Sequence, residues 1–495
     1  MSAREILQPG YRPEDLSVGI VHFGLGNFHR SHQALYLDKL FARGEALDFA
    51  VCGVGVLPGD ARMRDALRSQ DMRYTLVERE ADGTVVARSV ASIVDFLFAP
   101  DDPEAVLEKL ADPAVRIVSL TITEGGYNTD EATGEFDLFA PAVAADLAPG
   151  AVPGTVFGLV VEGLRRRRER GVPPFTVVSC DNLQGNGHVA RASFLAFARA
   201  RSAELADWIA DTVAFPNSMV DRITTVTGPD ERDFVTETFG ITDAWPVVSE
   251  GFTQWVLEDR FTAGRPPFEN VGVQLVEDVV PYEKMKLRLL NASHQALAYF
   301  GVLLGDTFVH EAATDPLMVR LLERFMREEA EPTLGDVPGV DLAAYQASLL
   351  ERFANPYIRD TLLRLATDAS DRIAKFVLPI VRDRLATDES VELAAAIVAS
   401  WAQFAARRDA DGQPVPIVDR RADLVAEAVD RAADEPAAFL ADERLFGDLA
   451  SDPRFVDPFV RASRAIREFG ARDALAGIVD APQHREASQE KPQER

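Results

Sequence analysis

Little in this sequence could anchor a metal, a disulfide framework or a membrane. There are two cysteines, Cys52 and Cys180, in 495 residues. Neither has metal-ligand spacing, and both sit in apolar runs that read as buried strands. No apolar run reaches the ~18 residues of a membrane-spanning helix. The opening stretch, MSAREILQPGYRPEDLS, holds no apolar signal region. These absences lead us to expect a cytoplasmic chain with no membrane partner and no metal. Basic residues are outnumbered by acidic ones, 52 to 79. A formal net charge of −27 argues against nucleic acid and anionic membrane surfaces. Small anions need only a local basic pocket and stay open. Lysine is scarcest of all: positions 39, 109, 284, 286, 375 and 491 hold the only lysines among 52 basic residues. Arginine can hardly act as a base, so Lys284 and Lys286 on one short stretch stand out. No internal repeat is visible.

What is present is ordinary for a globular protein, with 47% hydrophobic and 26% charged residues. The length exceeds one core, so two or three domains are expected. Residues 17–23, SVGIVHF, read as a strand of β-branched type. They run into Gly24-Leu25-Gly26-Asn27-Phe28-His29-Arg30 and then a helical pattern. In a strand–turn–helix context the first glycine permits the tight turn and the second lets backbone approach a pyrophosphate. The helix N-terminus adds N–H donors. Gly24, Leu25, Gly26, Asn27 and Phe28 are therefore candidate cofactor contacts, although His29 replaces the usual third glycine. Residues 48–56 read as the second strand, followed by Asp60. An acid there can accept both ribose hydroxyls of NAD and repel a 2′-phosphate. Asp60 could equally cap the helix that follows, and Arg62 and Arg64 leave a phosphorylated cofactor open.

Further strands are expected at 74–79, 85–90, 93–98, 116–122 and 175–180. Helices are expected at 103–111, 152–171 and from about 186 to 206. The arginine-rich end of the second of these, RRRRERG, reads as a solvated terminus. Glu124 follows the strand at 116–122, where open α/β sheets bind ligands; structural capping is its alternative. Asp181-Asn182 follow the strand at 175–180. Residues 215–224 read as a loop, in which Asp221 and Arg222 either pair or meet a ligand. From 282 onward only helical periodicity appears, at 281–304, 315–328, 341–353, 357–368, 371–385, 390–408, 421–433 and 456–475. The fold expected is α/β, a doubly wound domain over 1–280, then an all-helical domain over 281–480. A polar tail at 481–495 reads as disordered.

The most informative stretch is 282–295, YEKMKLRLLNASHQ. On an α-helix, Lys286 and His294 stand about 80° apart, with Asn291 about 60° beyond. Apolar neighbours imply burial, and buried charges need partners. A half-buried lysine is the side chain that burial can tune toward a general base. An amide and an imidazole beside it would bond a substrate oxygen. The alternative is a core helix whose polar groups satisfy one another, Arg288 pairing with an acid among them.

Five motifs in order resemble the mannitol dehydrogenase family of polyol-specific long-chain dehydrogenases. They are Gly24-x-Gly26-x-Phe28-His29-Arg30-Ser31-His32-Gln33, Thr123-Glu124-Gly125-Gly126-Tyr127, and Ser179-Cys180-Asp181-Asn182 with Asn186-Gly187. The others are residues 215–223, FPNSMVDRI, and Lys286-x-Arg288-x-x-Asn291-x-x-His294. The family usually has alanine where Ser31 stands. The resemblance implies a Rossmann-type domain, a helical domain, and metal-independent, NAD-dependent oxidation of a secondary alcohol. Lys286 would be the base, Asn182 and Asn291 the amides holding the reacting oxygen, and His294 the residue orienting substrate and lysine. Asp221 would accept substrate hydroxyls, while Glu124 and Glu283 are candidate proton-relay groups. The reaction expected is D-mannitol to D-fructose, in a monomer. Fructuronate reductase is the alternative, with Arg364, Arg372 and Lys375 as candidate carboxylate partners. Arabinitol oxidation is a third option. A nucleotide-binding regulator without turnover is the non-enzyme reading.

Overall fold

The computed structural model describes residues 6–129 and 135–481. The chain divides into two compact units, Met1–Tyr282 and Glu283–Arg495. Past Ala481 the expected tail lies outside the described residues.

The first unit is built on a five-stranded sheet of β1 (Val18–Phe23), β2 (Ala50–Gly55), β5 (Ile93–Phe98), β6 (Ile117–Leu120) and β7 (Thr176–Ser179), in the order β5-β2-β1-β6-β7. Every pairing in it is parallel. A parallel sheet carries helices on both faces, so its strands read as near-continuous apolar runs. Period-2 alternation still sorts the side chains. Val21, Phe23, Val118, Leu120 and Val177 join one core with the helices Pro103–Ala111, Val156–Arg170 and Asn186–Arg201. Ile20, Val51, Ile117 and Val178 join the other with helix Gln33–Ala42. The strand order reverses between β1 and β6. Such a switch point opens a crevice at the strands' carboxyl ends.

Two three-stranded sheets complete this unit. One pairs β3 (Tyr74–Arg79) with β4 (Val85–Val90) as a hairpin and with β9 (Val247–Glu250) in parallel. The other places β10 (Gln254–Glu258) between β8 (Ser218–Asp221) and β11 (Gln274–Val276). Strand β8 corrects the expectation of a loop at 215–224. It is only four residues long, and its two ends, Ser218 and Asp221, are buried polar side chains, while Val220 joins the apolar core, so no alternating run announces it. The helix expected from 186 to 206 is two, Asn186–Arg201 and Ala203–Thr212, since Ser202 breaks the first and caps the second. One arginine of the RRRRERG run is not solvated. Arg167 is buried, and its guanidinium donates to the carbonyls of Leu110, Asp112 and Pro173.

Beyond β11 the described residues form helices, with single bridges at Phe308–Thr361 and Arg408–Pro414. The pattern at 357–368 yields only the short helix Leu362–Leu365. Three stretches widen into π-helix: Lys286–Asn291, Phe325–Ala330 and Ile373–Val377. The first of them packs against both of the others. No described helix is long and apolar enough to cross a membrane.

Candidate active site

At the end of β1 each glycine of the turn has its own reason. Gly24 has φ +86°, and a Cβ there would stand 2.1 Å from the Thr121 carbonyl oxygen just past β6. Only glycine lets β1 leave the sheet so close to its neighbour. Gly26 has an ordinary φ of −96°. A Cβ on it would meet only the Gly24 oxygen, at 3.8 Å. That open space is what a pyrophosphate requires, so the turn fits a dinucleotide. The helix after it is broken: Asn27–Ser31 ends at His32 (φ −115°, ψ −88°), and Gln33–Ala42 starts anew. The Asn27 amide donates to Thr225 O and Thr227 Oγ1, while its oxygen accepts from Arg30. Leu25 is buried and Phe28 stacks on His32. These three side chains hold the turn.

A neutral histidine underlies the turn. His22 bonds Ser119 Oγ through Nδ1 (2.8 Å) and Thr121 Oγ1 through Nε2 (2.9 Å). Thr121 Oγ1 donates onward to Gly24 O at 2.7 Å. The hydroxyl must therefore accept from the imidazole, which fixes the proton on Nε2 and makes Nδ1 the acceptor from Ser119. Burial pushes the His22 pKa down to about 3. After β2, both the Val56 and Leu57 amides donate to Asp60 Oδ2 at 2.9 Å. The carboxylate thus folds back onto its own loop. It does not cap the helix Asp60–Arg68, whose N-cap is Gly59. Arg64 is taken by Asp65 and Asp101, at 2.8 and 2.6 Å.

The neighbouring strand ends interlock. Glu124 opens a tight turn, Glu124–Tyr127, entered through Thr123 at φ +65°, ψ 167°. For a side chain other than glycine that conformation costs about 1–3 kcal/mol. Asp181, just past β7, accepts Thr123 N (2.7 Å), Ile122 N (3.2 Å) and Tyr127 Oη (2.8 Å). The next residue, Asn182, is exposed. Asn186 donates to Asp181 O and Ser218 O and accepts from Ser218 N. Asn217 Oδ1 accepts Gly187 N, and a Cβ on Gly187 would lie 2.5 Å from Pro216 O. The motifs around Asn182 and Asp221 therefore form one unit. Asp221 ends β8 and is buried. Arg222 beside it pairs with Glu78 at 2.6 Å and donates to Ser31 O and Glu250 O.

In the second unit, Glu283, Lys286, Asn291 and His294 share one buried stretch, with Lys286 only 7% exposed. The expected α-helix is wider here. The Ala292 N–H reaches back five residues to Leu287 O, so the angular offsets drawn for an α-helix do not hold across Lys286–Asn291. Such π widenings are frequent at functional sites. Arg288 holds the stretch in place, bonding Asp383 at 2.6 Å and Thr333 O at 3.1 Å. His294 rests on the Phe353 ring at a centroid distance of 4.7 Å. Asn291 Oδ1 is buried without a hydrogen-bond partner among the described residues. Of the candidate carboxylate partners, Arg364 pairs with Asp360, and Lys375 with Asp371 at 2.7 Å. Among the described residues no cluster of His, Cys, Asp or Glu is arranged to hold a metal.

Sequence reasoning gave no role to Asp181, His22, Asn186 or Glu329. Glu329 is a buried carboxyl raised to about 7 by desolvation, and it accepts Leu393 N and Ala394 N. Asp181 did carry a signal: an acid directly after a buried strand.

A parallel sheet with a glycine turn at its switch point, followed by a helical unit bearing a buried lysine and amide, defines a dinucleotide-binding type of dehydrogenase fold. The chain belongs to the mannitol dehydrogenase family. The mannitol dehydrogenase Rossmann domain matches residues 18–270 and the mannitol dehydrogenase C-terminal domain residues 278–467. A mannitol 2-dehydrogenase of Neosartorya fischeri is 44% identical over 468 residues, 93% of each chain. The ternary complex of Pseudomonas fluorescens mannitol 2-dehydrogenase with NAD and D-mannitol is 45% identical, with a TM-score of 0.89 over 97% of this chain and 98% of that one. A D-sorbitol dehydrogenase in substrate-free form follows at 38% identity, with a TM-score of 0.87 over 96% and 98% of the two chains.

Proposed function

We propose that this chain is an NAD-dependent polyol dehydrogenase that interconverts D-mannitol and D-fructose with Lys286 as general base. The observation that carries the reading is Lys286, buried one widened turn before an amide whose oxygen is left to a ligand. Gly24, Gly26 and the backbone of residues 25–28 would hold the pyrophosphate, and Asp60 the adenosine ribose. Bound NAD supplies the hydride acceptor. Lys286 takes the hydroxyl proton, and Asn182 and Asn291 stabilise the developing charge on the oxygen. His294, its ring set by Phe353, orients the lysine and substrate. Asp221 accepts substrate hydroxyls, and Glu283 and Glu124 pass the proton onward. In the reverse direction the lysine ammonium returns the proton to the carbonyl oxygen.

Fructuronate reduction needs a cation for the substrate carboxylate. Two of its three candidates, Arg364 and Lys375, are already paired, which favours the uncharged polyol. The two buried, unpaired cysteines suit a reducing compartment such as the cytoplasm, and the strongly negative charge suits a monomer.

The test is NADH formation by the purified protein with D-mannitol, D-arabinitol, D-sorbitol and D-mannonate, each with NAD and with NADP. Turnover of mannitol with NAD is expected. Turnover of mannonate alone would replace the proposal with the fructuronate reading, and none with any substrate would defeat it.

A further inference from the structure

We propose that Asp181 is a positioning residue whose carboxylate clamps the Glu124 turn to the segment carrying Asn182, so that the proton-relay group and the oxygen-holding amide are presented together. This rests on the reading of Glu124 and Asn182 given above. The clamp has two halves. On one side the carboxylate accepts Ile122 N, Thr123 N and the Tyr127 hydroxyl, at 3.2, 2.7 and 2.8 Å. On the other side its own backbone is fixed, because Asn186 Nδ2 donates to Asp181 O at 3.0 Å. Tyr127 is anchored in turn to Ser179 Oγ on β7, at 2.6 Å. Thr123 holds a conformation that threonine rarely adopts. Such backbone persists only where its surroundings over-determine it, and Asp181 is the acceptor for the strained residue's N–H.

The titratable groups facing Asp181 are Tyr127 and Glu124 from the turn and the Cys180 thiol from its own segment. Burial raises the Asp181 carboxyl to about 6; the Tyr127, Thr123 and Ile122 donors pull it down, and Glu124 raises it. The ionised carboxylate accepts all three donors in charge-assisted bonds, and a protonated one accepts them in weaker neutral ones. The clamp therefore tightens above a pH of about 6 and loosens below it.

Ketose reduction brings this effect out. There Lys286 is the proton donor, which leaves the acid side to carboxyl groups: the clamp, and the relay groups Glu124 and Glu283. In the wild type, kcat for reduction should fall as pH drops through about 6. Asp181→Asn should lower kcat about 10²-fold, the scale of a 1 Å misplacement. It should leave KM nearly unchanged and abolish the acid limb, whereas Glu124→Gln, which removes a charge that raises the Asp181 carboxyl, should keep that limb and move it to lower pH. Tyr127→Phe removes one donor that favours the ionised form and keeps both backbone bonds, so it should shift the acid limb to higher pH. Wild-type kcat with an unchanged acid limb in Asp181→Asn, or an unmoved limb in Tyr127→Phe, would overturn the proposal. Amide hydrogen exchange gives a readout that needs no turnover. At matched neutral pH, the Ile122 and Thr123 amides should exchange about tenfold faster or more in Asp181→Asn than in the wild type. Equal exchange would refute the clamp. A wild type that oxidises no polyol yet shows the exchange difference would refute the functional reading and leave the clamp standing.

Discussion

Replacing Gly24 and Gly26 by alanine, one at a time, should damage the protein in two different ways. At Gly24 the new methyl carbon would sit 2.1 Å from Thr121 O, more than 1 Å inside ordinary contact, at φ +86°. The left-handed backbone costs an L-residue about 1–2 kcal/mol, and forcing extra volume into a packed site about 1–3 kcal/mol more. Relief by moving Thr121 is blocked, because its hydroxyl already binds Gly24 O and His22. A loss of about 2–5 kcal/mol is expected, with weaker NADH binding following from the displaced turn. At Gly26 the φ of −96° suits any residue, and the nearest atom to a Cβ is 3.8 Å away. Stability should change by no more than about 0.5 kcal/mol. The methyl would instead occupy space reserved for the pyrophosphate, so NADH affinity should fall about tenfold or more, worth 1.4 kcal/mol. Urea denaturation measures the first effect, and quenching of protein fluorescence by NADH the second. A Gly24→Ala protein as stable as the wild type would refute the packing argument. A Gly26→Ala protein with wild-type NADH affinity would refute the assignment of this turn to the cofactor.

Lys286→Ala should cut turnover about 10²–10⁴-fold, the usual range for a lost general base, with NADH binding unchanged by fluorescence; parallel loss of both would sink its role as base. Asp60→Ala should shift the NADP-to-NAD ratio of kcat/KM upward about tenfold, as removal of one repelling charge allows, and an unchanged ratio would free Asp60 from the ribose. Burial holds His22 neutral, with a pKa of about 3 against an ordinary 6.5. The unfolded chain therefore binds the extra proton between those values, and stability falls as pH falls through that window. The cost is about 1.4 kcal/mol per pH unit below 6.5 for this group. Urea midpoints at about pH 5 and 7 should show it in the wild type and show less of it in His22→Asn; an equal drop in both would remove His22 as the cause.

Local features of this chain were legible where one residue type has one physical use. The run SVGIVHF, followed by glycine, announced β1 and its turn, and strands 74–79, 85–90 and 93–98 fell in short runs rich in β-branched and aromatic residues. Lys286 was conspicuous because lysine is rare here. What stayed hidden depends on distant partners. Strand β8 is set by its pairing with β10 and by Asn186 and Asn217 bonding Ser218 and Glu258, partners that a four-residue segment does not reveal. The π widening at Lys286–Asn291 is written in ordinary helix formers, KLRLLN. Its surroundings are remote in sequence: Arg288 pairs with Asp383, and the stretch packs against two other widened stretches. Asp181 was visible in its motif, but its task appears only once the Thr123 backbone is seen to need an acceptor.

The widened turn also sets what kind of sequence change the catalytic stretch can survive. A π turn carries an extra residue relative to an α turn, so the count of residues matters as much as their identity. Losing a single residue between Lys286 and Asn291 would let the segment close into plain α-helix. The positions behind the deletion would keep nearly the facing they have now, because the residue removed is the one the widening accommodates, but the widening itself and the spacing it sets between Lys286 and Asn291 would be lost while every other side chain remains present. Exchanging Leu287 for another helix former leaves the spacing alone. Along this stretch the gene is constrained in length before it is constrained in letters, and insertions or deletions should be the rarest changes it accepts.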